Sequence, residues 1–166
     1  MEQAKPPSAQ DQSPVFRELE FEDLPRMVEL AQRFFDESEF KDFATFSPES
    51  ILLTFEAALS NPRFATIVFA PDGVVEGFSA FQFESSYTVE PLALGYLFYV
   101  SPEHRRGPAG RLLLDLSVNY AKQYGAVAFY NGAMAGIDSV SNTLPNLYRK
   151  MGFEPLFWGR KILKED

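Results

Sequence analysis

Large apolar side chains are almost missing from residues 1–14, MEQAKPPSAQDQSP, and recur in two rhythms from Val15 onward. Alternation over Val15–Glu20 predicts a short first strand. Met27, Val28, Ala31, Phe34 and Phe35 then return at helical spacing, with Asp23 placed to cap that helix and Pro25 tolerated in its first turn. Ser47-Pro48-Glu49 opens a second helix with the stripe Ile51, Leu52, Phe55, Ala58 and Leu59, and Asn61-Pro62 stops it. Phe64–Ala70 and Val74–Phe83 read as strands joined by the turn Pro71-Asp72-Gly73. After the polar stretch Glu84–Pro91, Leu92–Val100 predicts another strand. The next helix carries Leu112, Leu113, Leu116, Tyr120 and Tyr124 on one side and ends at Gly125. Ala126–Asn131 is a short strand, Gly132–Asp138 a loop, and Val140–Met151 a last helix closed by Gly152. Phe153–Leu163 supplies one or two terminal strands, with Gly159 as a bend. The expectation is an α/β fold: a mixed sheet of 6–7 strands with about four helices on its faces.

Composition narrows the picture. Residues 1–14 read as a flexible tail and 15–166 as one domain, a length able to bury a real core. The net charge of −8 argues against nonspecific nucleic-acid binding, which needs a basic face. An acidic surface serves solubility first, and could also favour a cationic acceptor such as an amine. The chain has no cysteine and a single histidine, His104, which leaves no thiol nucleophile, no thiolate or histidine metal cluster and little basis for a Ser-His-Asp triad. No apolar run approaches the ~18 residues that span a membrane, and no secretory leader is evident, so the default compartment is the cytoplasm.

Against that acidic background, residues 104–114 read His-Arg-Arg-Gly-Pro-Ala-Gly-Arg-Leu-Leu-Leu. Strand, basic glycine turn and helix start in that order build an anion site. The first backbone N–H groups of a helix have no partner within it, and the helix dipole adds partial positive charge there. Glycine lets a phosphate come close, and Arg105, Arg106 and Arg111 supply permanent cations.

The order of elements and this loop together resemble the GNAT superfamily of acetyl-coenzyme A-dependent N-acetyltransferases, whose signature is Arg/Gln-x-x-Gly-x-Gly/Ala between the fourth strand and third helix. Leu147-Tyr148-Arg149-Lys150-Met151-Gly152-Phe153 resembles the Leu-Tyr-x-x-x-Gly-Phe segment of the family's last helix, and Arg17 followed by Asp23 fits its first strand and helix. The resemblance covers residues 15–164 and implies a mostly antiparallel sheet. Aligned on Arg105, the first motif glycine falls on Pro108, which has no N–H to donate; aligned on His104, Gly107 and Ala109 fit but the leading Arg is lost. Arg-Arg-Gly-Pro-Ala-Gly is most similar to a variant loop of phage and prophage acetyltransferases.

What the resemblance implies is transfer of an acetyl group from acetyl-CoA to a primary amine of a small molecule or peptide. The cofactor's pantetheine arm would lie between the splayed fourth and fifth strands, against Phe98, Tyr99, Val100 and Asn131, with a backbone N–H near Tyr99 or Val100 facing the thioester oxygen. Its phosphates would meet Arg105, Arg106, Gly107, Ala109, Gly110 and Arg111. Tyr148 is the candidate general acid for the leaving thiolate, and it also packs beneath the cofactor. Ser141 and Asn142 stand where the family often touches the pantetheine or adenine. The base is open: Glu84 and Glu90 are the nearby carboxylates, and both also read as ordinary loop charges. His104 reads as structural or solvent-exposed. Phe34 and Phe35 read as core, Phe40–Phe46 as a lid over the acceptor pocket, and Tyr96, Tyr130 and Trp158 as either lining or core. A non-catalytic CoA-binding module and an enzyme of another acyl donor are the competing readings. Members of the family are often dimers, so a homodimer is compatible.

Overall fold

The sheet is built from the centre outward by the strands whose alternating apolar positions are longest. The computed structural model describes residues 15–132 and 143–155. The expected tail over 1–14, the loop and helix start over 133–142, with Ser141 and Asn142, and the terminal stretch 156–166, with Trp158 and Gly159, lie outside the described residues.

Five strands run in the order β1 (Phe16–Glu18), β2 (Phe64–Phe69), β3 (Gly77–Glu84), β4 (Leu92–Val100) and β5 (Ala128–Tyr130). The first three neighbouring pairs are antiparallel and β4 with β5 is parallel. Helices α1 (Leu24–Glu37) and α2 (Pro48–Ser60) cover one face; α3 (Ala109–Gln123) covers the other; α4 (Thr143–Lys150) follows β5. The mixed α/β architecture is as expected. The described residues form five strands rather than 6–7, and Phe153–Pro155 is not strand.

Each face has its own core. Met27, Leu30 and Phe34 of α1 and Phe55 of α2 pack on Val68, Phe78 and Tyr99, with Phe55 and Phe78 edge to face at 5.5 Å. Opposite, Leu113 and Ala121 of α3 pack on Ile67, Phe69, Phe81, Ala93 and Val100. The expected stripe of α3 is rotated: Leu112, Leu116 and Tyr124 are exposed, and Ala109, Leu113, Ser117 and Ala121 are buried. Small residues bring the helix close to the sheet, and Ser117 donates to the Leu113 carbonyl at 2.8 Å, so its hydroxyl is satisfied inside. Large apolar residues alone therefore misjudge which side docks. Gly125, at φ +84°, turns the chain out of α3 as expected of a left-handed helix end.

Ser47 caps α2, accepting from the Ser50 N–H at 3.2 Å. Asp23 does not cap α1. Its carboxylate accepts from Arg17 at 2.6 and 2.9 Å and from the Glu20 N–H at 2.9 Å, binding β1 to the entry of α1. Burial pushes the Asp23 carboxyl up, but the Arg17 guanidinium and the Glu20 N–H outweigh it and hold Asp23 below the usual carboxylate range. In the unfolded chain Asp23 takes up its proton first as pH falls, so the stability it contributes is present above about pH 4 and is lost as pH drops through the folded value. Asp23→Asn leaves Arg17 only the looser Glu20 carboxylate at 3.6 Å and should cost about 2 kcal/mol in urea melts at pH 7. The variant's stability should also fall less steeply than the parent's below pH 4; parallel acid titrations of both proteins check this.

Candidate active site

The strand pairing beside β4 stops partway. β5 pairs with Leu92, Ala93 and Leu94, and the register ends at Leu94 opposite Tyr130. The next two residues of β4 explain the break. Gly95 lies under Asn131: a Cβ there would stand 2.5 Å from Asn131 Oδ1 and 3.1 Å from the Tyr130 carbonyl oxygen. Tyr96 is an extra residue in β4, because Ala80 pairs with Leu97 and Phe81 with Gly95. This bulge sends both Tyr96 and Leu97 toward the α1–α2 face, adds local twist and lets β5 diverge. Burial pushes the Tyr96 phenol up to about 12, with the Thr66 hydroxyl pulling the other way.

Beyond the bulge, backbone direction is fixed by the ladder. The Ser101 N–H donates to the Glu76 carbonyl at 2.8 Å, so Leu97 and Tyr99 also point theirs at β3. Phe98 and Val100 therefore turn their N–H and C=O groups to the open edge, where no strand partner exists among the described residues. Arg105 Nε donates to the Val100 carbonyl at 2.7 Å, as that direction requires. Of the two N–H groups expected to face a thioester, Val100 has the right orientation and Tyr99 is committed to β3.

The turn after β4 brings a second set of donors to the same edge. Glu76 anchors it: Ser101 Oγ donates to Glu76 Oε2 at 2.5 Å, and Arg26 pairs with Glu76 Oε1 at 2.8 Å. Burial works against the Glu76 charge, yet the Ser101 bond and Arg26 keep its carboxyl below the usual range. Pro108 occupies the N-cap of α3 without a side-chain cap, and the first helical bond is Leu112 N–H to the Pro108 carbonyl at 2.9 Å. The N–H groups of Ala109, Gly110 and Arg111 have no acceptor among the described residues, at the positive end of a helix of 15 residues. Gly107 differs from expectation, since its N–H is used by the His104 carbonyl at 3.2 Å.

The arginines separate into three environments. Arg105 is held by Glu37 at 2.6 Å and by Val100. Arg111 makes a loose pair with Asp115 at 3.7 Å. Arg106 is exposed and makes no ion pair among the described residues. His104 packs edge-on against Phe69 at 5.2 Å.

Tyr148 of α4 is 8% exposed, packs at a tilt on Phe153 at 5.2 Å and donates to the Gly132 carbonyl at 3.3 Å. Asn131 Nδ2 is buried with no partner among the described residues. The open edge of β4 at Phe98 and Val100 thus adjoins the uncapped start of α3 at Gly110.

Residues 62–155 match the family Acetyltransferase (GNAT) domain. The chain belongs to the GNAT acetyltransferase family. No curated protein matches the sequence. Among solved structures, an acetyltransferase of Trypanosoma brucei is 18% identical, with 88% of this chain and 96% of that one covered and a TM-score of 0.66. Aminoglycoside 6'-N-acetyltransferase from Acinetobacter haemolyticus is also 18% identical, with 89% and 98% covered and a TM-score of 0.63. A structure described as a predicted acetyltransferase with acetyl-CoA, from Clostridium acetobutylicum, is 17% identical, with 89% and 96% covered and a TM-score of 0.69. At these identities the likeness is one of fold.

Of the expected cofactor residues, Phe98 and Val100 lie beside Gly110 at the start of α3, Asn131 lies against Gly95, and Tyr148 lies against Gly132. Glu84 and Glu90 are at the other end of β4: Glu84 pairs with Leu92, roughly 25 Å along the strand from Val100. Glu84 accepts from the Ser86 N–H at 2.7 Å and from the Ser86 hydroxyl, which hold its carboxyl below the usual range. Phe40 and Phe46 of the expected lid are half-buried against the α1–α2 core, and Tyr130 is at the margin of exposure. Glu37 and Glu76 went unnoticed in the sequence because their partners are tens of positions away.

The glycines give a direct check. Gly110→Ala places a Cβ 3.9 Å from Phe98 and Val100, ordinary contact, and should stabilise α3 by up to about 1 kcal/mol. Gly95→Ala must displace Asn131 and should destabilise by about 2 kcal/mol. Denaturant melts of the two variants should therefore move in opposite directions.

Proposed function

We propose that this chain is an N-acetyltransferase that moves the acetyl group of acetyl-CoA to a primary amine of a small molecule or peptide. One observation carries the reading: the unpaired edge of β4 at Phe98 and Val100 abuts the uncapped N-terminus of α3. A strand edge suits the amide groups of a pantetheine arm, and a helix N-terminus suits its pyrophosphate. The buried, unpartnered Asn131 Nδ2 and the three free N–H groups of Ala109, Gly110 and Arg111 are a donor set for which acetyl-CoA supplies acceptors. When bound, acetyl-CoA would supply an acyl group activated as a thioester.

Roles for the chain's own groups follow from their directions. The Val100 N–H, on the open edge beside Gly110, would bond an amide carbonyl of the pantetheine arm near the pyrophosphate. Arg106 and Arg111 would meet the phosphates, while Arg105 reaches them only with the donors that Glu37 and Val100 leave. Pro108 removes one N–H from the cradle. The Tyr148 hydroxyl, which donates to the Gly132 carbonyl, would deliver a proton to the departing thiolate. Glu84 is a weak base because Ser86 favours its charged form. Glu90, the second loop carboxylate, stands at the same far end of β4, so neither is near the Val100 edge where the cofactor would lie. Neither contacts Tyr148, an arrangement that also favours a non-catalytic CoA-binding module.

Calorimetry with acetyl-CoA and an amine panel followed by thiol release separate the readings. Binding with turnover is the expected result; binding without turnover of any amine leaves the module, and no binding at millimolar acetyl-CoA removes both. Arg106→Ala should lose about 2 kcal/mol of cofactor affinity, roughly 30-fold. Tyr148→Phe should slow turnover about 100-fold with cofactor affinity unchanged; an unchanged rate would remove Tyr148 from the acid role.

A further inference from the structure

A polar cluster at the end of α1 takes no part in the chemistry above, yet it joins three elements of the site. Glu37 is the last residue of α1. Its Oε1 accepts from the Tyr99 hydroxyl at 2.6 Å and its Oε2 from Arg105 at 2.6 Å. Arg105 also holds the Val100 carbonyl, and its guanidinium lies 5.1 Å above the Tyr99 ring. One carboxylate therefore ties α1 to the open end of β4 and to the loop that leads into α3.

The chain leaving Glu37 is the aromatic segment. Ser38 is 1% exposed, closes α1 through its N–H on the Phe34 carbonyl at 3.0 Å, and accepts from the Phe40 N–H at 3.3 Å. Phe40 and Phe43 meet at 5.8 Å, and Phe46 reaches back to Phe35 at 5.6 Å. Whatever fixes Glu37 fixes the start of this segment. Charge-assisted bonds of this length hold their partners in register, so Arg105 cannot shift without moving Glu37 or releasing the Val100 carbonyl.

We propose that Glu37 is a positioning residue that couples occupancy of the cofactor loop to the order of residues 38–46. The proposal rests on the reading that this loop takes CoA. An anion at the N-terminus of α3 restrains the turn carrying Arg105; Arg105 passes that restraint to Glu37, and Glu37 to the aromatic segment. By linkage, anything that orders the segment also tightens the cofactor.

Amide hydrogen exchange of the whole chain, with and without saturating CoA, tests this. CoA should slow exchange over 98–111 and also, by about 5-fold or more, over 38–46. In Glu37→Gln the slowing over 98–111 should persist while that over 38–46 disappears. Tyr99→Phe keeps the Arg105 pair and should retain the coupling, a second variant should Glu37→Gln prove unstable; its loss there would place the link in the phenol and overturn the role of the Glu37–Arg105 pair. Slowing confined to 98–111 in the parent protein, or coupling undiminished in Glu37→Gln, also overturns the proposal. Absence of any slowing at 98–111 refutes the cofactor reading itself, a separate failure.

Discussion

The site depends on one interruption of backbone pairing. A parallel partner accompanies β4 as far as Leu94 and then departs, because Gly95 yields its side-chain space to Asn131 and Tyr96 is inserted as a bulge. Exposed strand edges are ordinarily a hazard, and proteins cover or charge them. Here the edge is short and followed by the turn of residues 101–108, and it leaves the N–H and C=O groups of Phe98 and Val100 without a strand partner among the described residues.

Charge is distributed to match. The chain is acidic overall, with a net charge of −8, yet residues 104–111 place three arginines and a helix N-terminus together. Two carboxylates beside that turn are engaged. Glu37 is spent on Tyr99 and Arg105, and Glu76 on Ser101 and Arg26. The turn is thereby held without neutralising Arg106, whose charge stays available at the surface. Burial and the Glu37 carboxylate also push the Tyr99 phenol upward, so Tyr99 stays protonated as a donor. It is part of the scaffold and takes no role as a base.

Much of this was legible in the chain. The strand Leu92–Val100 has its expected bounds, and the Ser47-Pro48 start and Gly125 stop operate through the local chemistry that makes them recognisable. The glycine turn was legible for the same reason: uncapped N–H groups at a helix start are a property of a few consecutive residues. Elsewhere local rules were overridden. Asp23 reads as a cap but serves Arg17, and the stripe of α3 is rotated because Ala109, Ser117 and Ala121 dock more closely than leucines would.

The sequence by itself determined the order of elements, the basic glycine turn before α3 and the family to which they belong, since each is written in short-range periodicity and neighbouring residues. Tertiary structure decided which groups are free to act. Only pairing between β3 and β4 sets the bulge at Tyr96 and aims the N–H groups of Phe98 and Val100 at the open edge. Only contacts across tens of residues commit Arg105 to Glu37 and leave Arg106 exposed. Backbone direction and side-chain partnership are set by register and packing, which no single segment of the chain contains.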